Sequence, residues 1–165
     1  MTFPQHNGQI PLYYQYKSTG RPTALGGWCA KYIDIPTEPA YPFGYGLSYT
    51  TFNYSDVKLL PGDGKGTYTR VAVTVTNTGK CEGEEVVQLY VRDEVASITR
   101  PIKELKGFEK IKLSPGESKM VTFDVKDEQL GFYNNQMKFI VEKGDFTLMV
   151  GGNSRDLQEI KYILN

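Results

Sequence analysis

Two groups of carboxylates are the residues of this chain whose type and spacing could move protons: Glu82, Glu84 and Glu85, and Asp124, Asp127 and Glu128. Acid–base catalysis needs one carboxyl held protonated near neutral pH and a second one ionised close by, which takes burial and close pairing. Both groups fall at strand ends or turns, where charges are normally solvated and keep ordinary pKa values. They are read as surface charges, and no catalytic residue is assigned. The lone His6 supports neither a triad nor a metal site. Cys29 and Cys81 do not form a metal-type cluster. They are expected as free or semi-buried thiols, because a chain of this size needs no staple, although a Cys29–Cys81 disulfide stays open. No metal or cofactor is expected.

Aromatic residues are the second candidates. The stretch YPFGYGLSYTTFNYS, Tyr41 to Ser55, carries Tyr41, Phe43, Tyr45, Tyr49, Phe52 and Tyr54 among Pro42, Gly44 and Gly46. Such rings could stack on the C–H faces of sugars, or they could anchor a connector against a packed surface. Six exposed rings would form an aggregation-prone patch, and each gains about 1.5–3 kcal/mol when removed from water. The anchor reading is therefore preferred, with Tyr41, Phe43, Tyr45 and Tyr49 as docking residues. Gly44 and Gly46 would let the backbone approach closely. Trp28, the single Trp, and Tyr45 stay open as sugar platforms. Arg100 is expected to pair with an acid such as Glu104, to cap carbonyls, or to hold a neighbouring domain. Asn53-Tyr54-Ser55 is formally a glycosylation triplet but lies in strand-like sequence.

From about residue 51 the pattern has period two. Val71, Val73 and Val75 alternate with Ala72, Thr74 and Thr76; Val87, Leu89 and Val91 alternate with Val86, Gln88, Tyr90 and Arg92. Val121, Phe123 and Val125 form a third row, Phe146, Leu148 and Val150 a fourth, and Ile160, Tyr162 and Leu164 a fifth. Successive strand side chains point to opposite faces, so each run can bury one face and wet the other. In FNYSDVKLL the phase changes after Tyr54, which a bulge near Ser55 would explain. Turn signals such as PGDGKG, NTGK, SPGES and GGNS separate the runs. The expected fold is an all-β, immunoglobulin-like antiparallel sandwich of about seven strands over 51–165. GQIPLYY, Gly8 to Tyr14, could add one strand. The rest of residues 1–50 has no sustained period and reads as an extended segment lying on something.

With Lys+Arg 19 against Asp+Glu 19, the chain has no basic excess to neutralise phosphates, so nucleic acid is not expected as a partner. No apolar run approaches a membrane span. The first residues lack the charged start and apolar core of a signal peptide. The abrupt opening suggests a piece of a longer polypeptide.

Several long motifs resemble the C-terminal end of glycoside hydrolase family 3 enzymes, the β-glucosidase and β-xylosidase group. TFP (Thr2 to Pro4) with GQIPLYY is similar to the end of that family's α/β sandwich domain. GRP (Gly20 to Pro22) and YIDIPTEPAYPFGYGLSYTTFNYS (Tyr32 to Ser55) resemble its connector. NTGKCEGEEVVQLYVRD (Asn77 to Asp93) and SITRPIKELKGFEKIKLSPGESKMVTF (Ser97 to Phe123) resemble its fibronectin type III-like domain. The resemblance implies a division into 1–50, the end of the α/β sandwich domain and the connector, and 51–165, the fibronectin type III-like sandwich. It implies a parent that cleaves terminal β-linked glucosyl residues with retention. The catalytic Asp and Glu of such a parent lie upstream, so this piece is expected to be inactive alone. Its expected role is to buttress the catalytic domains of the same polypeptide, with a homodimer as a further expectation. A periplasmic or secreted parent is expected. Rival readings are a carbohydrate-binding module and a protein-interaction sandwich.

Overall fold

Period-two alternation becomes two hydrogen-bonded layers facing each other. The computed structural model describes residues 1–18 and 32–165. Trp28, Cys29 and the segment Gly20 to Pro22 lie outside the described residues. One antiparallel sheet joins β1 (Phe52–Pro61), β2 (Thr69–Asn77) and β5 (Ser118–Val125) in the order β1-β2-β5. The other joins β3 (Gly83–Asp93), β4 (Glu104–Leu113), β8 (Gly144–Gly151) and β9 (Leu157–Leu164) in the order β4-β3-β8-β9. A one-turn helix, α1 (Asp127–Leu130), and the short pair β6 (Phe132–Tyr133) and β7 (Phe139–Ile140) lie in the crossover between β5 and β8.

The core is the set of in-phase residues. Val71, Val73 and Val75 of β2, Val87, Leu89 and Val91 of β3, Val121 and Val125 of β5, and Phe146, Leu148 and Val150 of β8 are all buried together. Fully burying each of the larger side chains is worth about 1.5–3 kcal/mol. The phase change in β1 is a bulge: register shifts between Ser55 and Lys58, with Asp56 at φ 54. The bulge returns Val57 and Leu59 to the face that Phe52 and Tyr54 occupy, so all four pack against the core.

Three expectations change. First, the outer face of the four-stranded sheet is not simply wet: Gln88, Tyr90, Thr147 and Met149 are buried there, because the segment before β1 lies across it. Second, GQIPLYY forms no strand. Asn7–Gln9 is a single 3-10 turn, and Pro11 has no N–H to give to a ladder. Third, Gly44 and Gly46 differ in role. Gly44 sits at φ +81 where an added Cβ would collide with the Gln88 side chain, whereas Gly46 faces open space.

Asn77 fixes the junction between the segment and the sandwich. Its side chain is fully buried. Its Oδ1 accepts from Thr50 Oγ1 (2.6 Å) and from the Gly79 N–H (3.0 Å), and its Nδ2 donates to the Cys81 (2.8 Å) and Leu113 (2.9 Å) carbonyls. Gly79 must be small here, since a Cβ would run into Thr50 Oγ1. Removing the amide strands buried backbone groups and a hydroxyl, each at about 1–3 kcal/mol. Asn77→Ala is therefore expected to destabilise the chain by roughly 3 kcal/mol, read as a lower urea midpoint with an unchanged slope.

Candidate docking surface and carboxylate cleft

The connector is held to the sandwich by aromatic stacking and by one glutamine. Phe43 stacks on Tyr14 with centroids 4.4 Å apart and planes at 21°, and Tyr14 meets Tyr90 edge-on at 5.8 Å. Tyr90 is fully buried beneath them, and its hydroxyl donates to Gln88 Oε1 at 2.5 Å. Burial pushes the Tyr90 phenol well above its ordinary range. Gln88 Nε2 donates to the Gly152 carbonyl at 2.6 Å and reaches the Gly44 carbonyl at 3.4 Å. The Ser154 N–H donates to the Phe43 carbonyl (2.8 Å), while Lys103 Nζ donates to the Ser154 carbonyl (2.7 Å). Burial lowers the pKa of Lys103.

Further upstream, Phe3 and Tyr41 exchange backbone hydrogen bonds of 2.9 and 3.3 Å. Gln9 is a second buried hub. Its Oε1 accepts from the Gln5 (2.6 Å) and His6 (3.1 Å) N–H groups, and its Nε2 donates to the Pro36 (2.7 Å) and Glu38 (3.2 Å) carbonyls. These hubs leave other connector side chains uncovered. Tyr41 is 51% exposed, Tyr45 40%, Leu47 90% and Tyr49 101%. The expected docking residues thus divide. Phe43 anchors the connector to its own sandwich, while Tyr41, Tyr45 and Tyr49 present rings outward; Tyr41 and Tyr45 lie 5.2 Å apart.

Arg100 is turned into its own domain, with 6% of its side chain exposed. Its guanidinium pairs with Glu104 (2.5 Å) and Asp93 (3.5 Å), donates to the Leu130 carbonyl (3.4 Å) and lies 4.6 Å over the Phe132 ring. Both sequence expectations of pairing with Glu104 and capping a carbonyl are met. Among the described residues Asp93 Oδ2 is buried without a hydrogen-bond partner, and Arg100 is its counter-charge. Burial pushes the Asp93 carboxyl up against that pull.

The two carboxylate groups also separate. Asp124, Asp127 and Glu128 are exposed, as are Glu82 and Glu84, which pair with Lys112 and Lys110 at 2.7 Å each. Glu85 is different. It occupies the core-facing row of β3, two residues before Val87, at the open end of the sandwich. Tyr54 of the opposite sheet donates to its Oε1 at 2.9 Å. Burial raises the Glu85 pKa, outweighing that hydrogen bond, and raises that of Tyr54 as well. A cleft of about 470 Å³ opens here, lined by Tyr45, Leu47, Phe52, Tyr54, Glu84, Glu85, Asn153 and Asp156 among others. The clue in sequence was the phase of Glu85 with Val87, and the alternation alone carries it. Among the described residues, no group of three or more His, Cys, Asp or Glu is placed to hold a metal ion. None of the described helices is long and apolar enough to cross a membrane.

A connector bound by stacked rings to a two-layer antiparallel sandwich defines a fibronectin type III-like module, and the fibronectin type III-like domain family matches residues 85–154. The chain is 48% identical to a periplasmic β-glucosidase of Salmonella typhimurium over 96% of its length, and 42% identical to a putative β-xylosidase of Formosa agariphila over 99%. A crystal structure of β-glucosidase from Listeria innocua in complex with gluconolactone superimposes with a TM-score of 0.87 at 42% identity, covering 99% of this chain and 23% of that one. The chain spans about a fifth of the length of the curated relatives it matches. It belongs to the C-terminal part of the glycoside hydrolase family 3 β-glucosidases, as an accessory domain with its connector.

Two outcomes follow from the buried charges. Arg100→Ala leaves Asp93 without a counter-charge and is expected to cost about 3 kcal/mol in urea denaturation, with part of the loss recovered when Asp93→Ala is added. The raised Glu85 pKa means the native state holds its proton longer than the unfolded chain. Its contribution to stability is thus present at low pH and lost as pH rises above the ordinary value of 4.5. Glu85→Gln should stabilise the isolated chain at pH 7, and the difference should vanish at acidic pH; equal effects at both would sink the assignment.

Proposed function

We propose that this chain is a brace. It packs its connector face, through Tyr41, Tyr45, Leu47 and Tyr49, against the upstream catalytic domains of the same polypeptide. That parent hydrolyses terminal β-linked glucosyl residues with retention, through a covalent glycosyl intermediate formed on its upstream carboxylates. The single observation that carries this reading is the exposure of Leu47 and Tyr49, 90% and 101%, on a connector whose two sides are fixed by Phe43 and by Thr50–Asn77. Apolar side chains held out in a pinned segment favour a packed partner. Periplasmic relatives such as that of Salmonella typhimurium support an exported parent. Phe43 and Arg100 serve the interface indirectly, by fixing the connector and the loop between β3 and β4.

The brace reading makes a paired prediction. Turnover of a chromogenic β-glucoside is expected from the full-length polypeptide, and none above a buffer blank from the isolated chain. Tyr49→Ala and Leu47→Ala should each lower the Tm of the full-length protein by about 2–4 °C. The isolated chain should shift by less than about 0.5 kcal/mol, as for any exposed substitution. Equal effects on both would show that these side chains act within the module. Sedimentation of the isolated chain tests the competing occupant, a second copy seated on the same face; concentration-dependent dimers lost on Tyr49→Ala would replace this reading.

A further inference from the structure

We propose that Phe108 is a contact residue for the upstream part of the same polypeptide, so that the docking face of the connector continues across Val86 onto the border strand β4. This rests on the brace reading and adds a second anchor to it.

Phe108 is the misplaced residue of its strand. β4 is a border of the four-stranded sheet, where charged side chains commonly blunt the edge. The next outward-facing residues of β4, Lys110 and Lys112, follow that rule and pair at 2.7 Å with Glu84 and Glu82. Phe108 breaks it, with 70% of its surface exposed. The core does not ask for a ring at this point. Its neighbour Gly107 faces inward, where a Cβ would meet the Phe123 ring of the other sheet at 3.4 Å. Phe108 lies on the opposite face, level with Gln88 in the ladder.

That register brings Phe108 to the connector. Gln88 reaches the Gly44 carbonyl at 3.4 Å, so the connector crosses the sheet beside Phe108. Val86, 39% exposed, is the diagonal cross-strand neighbour of Phe108, at a spacing that aromatic side chains span. Val86 and Leu47 line one hollow. Phe108, Val86 and Leu47 thus make an apolar strip that runs on to Tyr49, two residues after Leu47, and the ion pairs Lys110–Glu84 and Lys112–Glu82 border it. An apolar centre with a polar rim is the anatomy of a protein interface.

Size and charge select the occupant. The three side chains of the strip expose on the order of a few hundred Å². Free association of two molecules uses about 800 Å² per partner. A partner in the same polypeptide meets the strip at a millimolar effective concentration when the link is short, so a strip of this size suffices. Such a partner has a source, since this chain covers 21% of the length of the Salmonella typhimurium relative. Each lysine of the rim is matched by a glutamate, so the complementary surface is apolar rather than charged.

The test places a photoreactive benzoylphenylalanine at position 108 of the full-length polypeptide. Irradiation is expected to join the label to a residue of the upstream domains within one molecule, identified by mass spectrometry of the joined peptides. Links confined to residues 1–165, links between two molecules, or links no more frequent than from the same label at Lys65, in the exposed turn between β1 and β2, overturn the proposal. Phe108→Thr keeps the strand preference and removes the ring. It should lower the Tm of the full-length protein by about 2–4 °C and that of the isolated chain by less than about 1 °C. An equal drop in both assigns Phe108 to its own module and overturns the contact. If Tyr49→Ala lowers the full-length Tm and Phe108→Thr does not, the contact falls and the brace stands. If neither substitution does, both fall.

Discussion

The structure depends on a sheet whose central strands, β3 and β8, are buried on both sides. On its inner face β3 contributes Val87, Leu89 and Val91 to the sandwich core, and on its outer face it contributes Gln88 and Tyr90 to a second, smaller packing layer. Antiparallel sheets commonly leave one face to water. Here the segment before β1 covers the middle of that face, with Tyr14 stacked on Phe43 and edge-on to Tyr90, and with Gln88 tied to the carbonyls of Gly44 and Gly152. Polar groups taken out of water cost free energy unless bonded, and Gln88 meets that demand from both of its amide atoms. The connector is therefore placed by satisfied hydrogen bonds as much as by apolar contact. The outward rings of Tyr41, Tyr45 and Tyr49 follow from that placement.

The sandwich was legible in the sequence because alternation is a local signal. The rows ending at Val75, Val91, Val125, Val150 and Leu164 all read correctly, and even the slip in β1 was visible as a break of phase at Ser55. The connector was not legible in the same way. Its anchors are single residues at long separations: Gln88 to Gly152, Gln9 to Pro36 and Asn77 to Leu113. Glutamine and asparagine carry no period, and nothing local to Gln9 announces a buried side chain. Glu85 lies between these cases. Its position in the inner row was there to be read beside Val87, but composition alone marked it as one more surface acid.

Arg100 illustrates why residue type can point two ways. Arginine is enriched at interfaces and also in buried ion pairs, since its planar fork bonds several acceptors at once. In this fold the loop between β3 and β4 folds back so that Asp93, Glu104 and the Leu130 carbonyl converge on it, with Phe132 beneath. Glu104 stands close to Arg100 in the sequence, while Asp93 and the Leu130 carbonyl arrive from other elements.

The bulge in β1 has a further effect on how crowded chains behave. β1 forms one border of its sheet, and a border strand with an unbroken row of free N–H and C=O groups invites another molecule to extend the ladder. The shift between Ser55 and Lys58, with Asp56 twisted to φ 54, interrupts that row at its middle and places a charge at the break. Pro61 then closes the strand with a residue that has no amide hydrogen to lend. The same irregularity that keeps Val57 and Leu59 in the interior thus also guards the molecule against fibrous association.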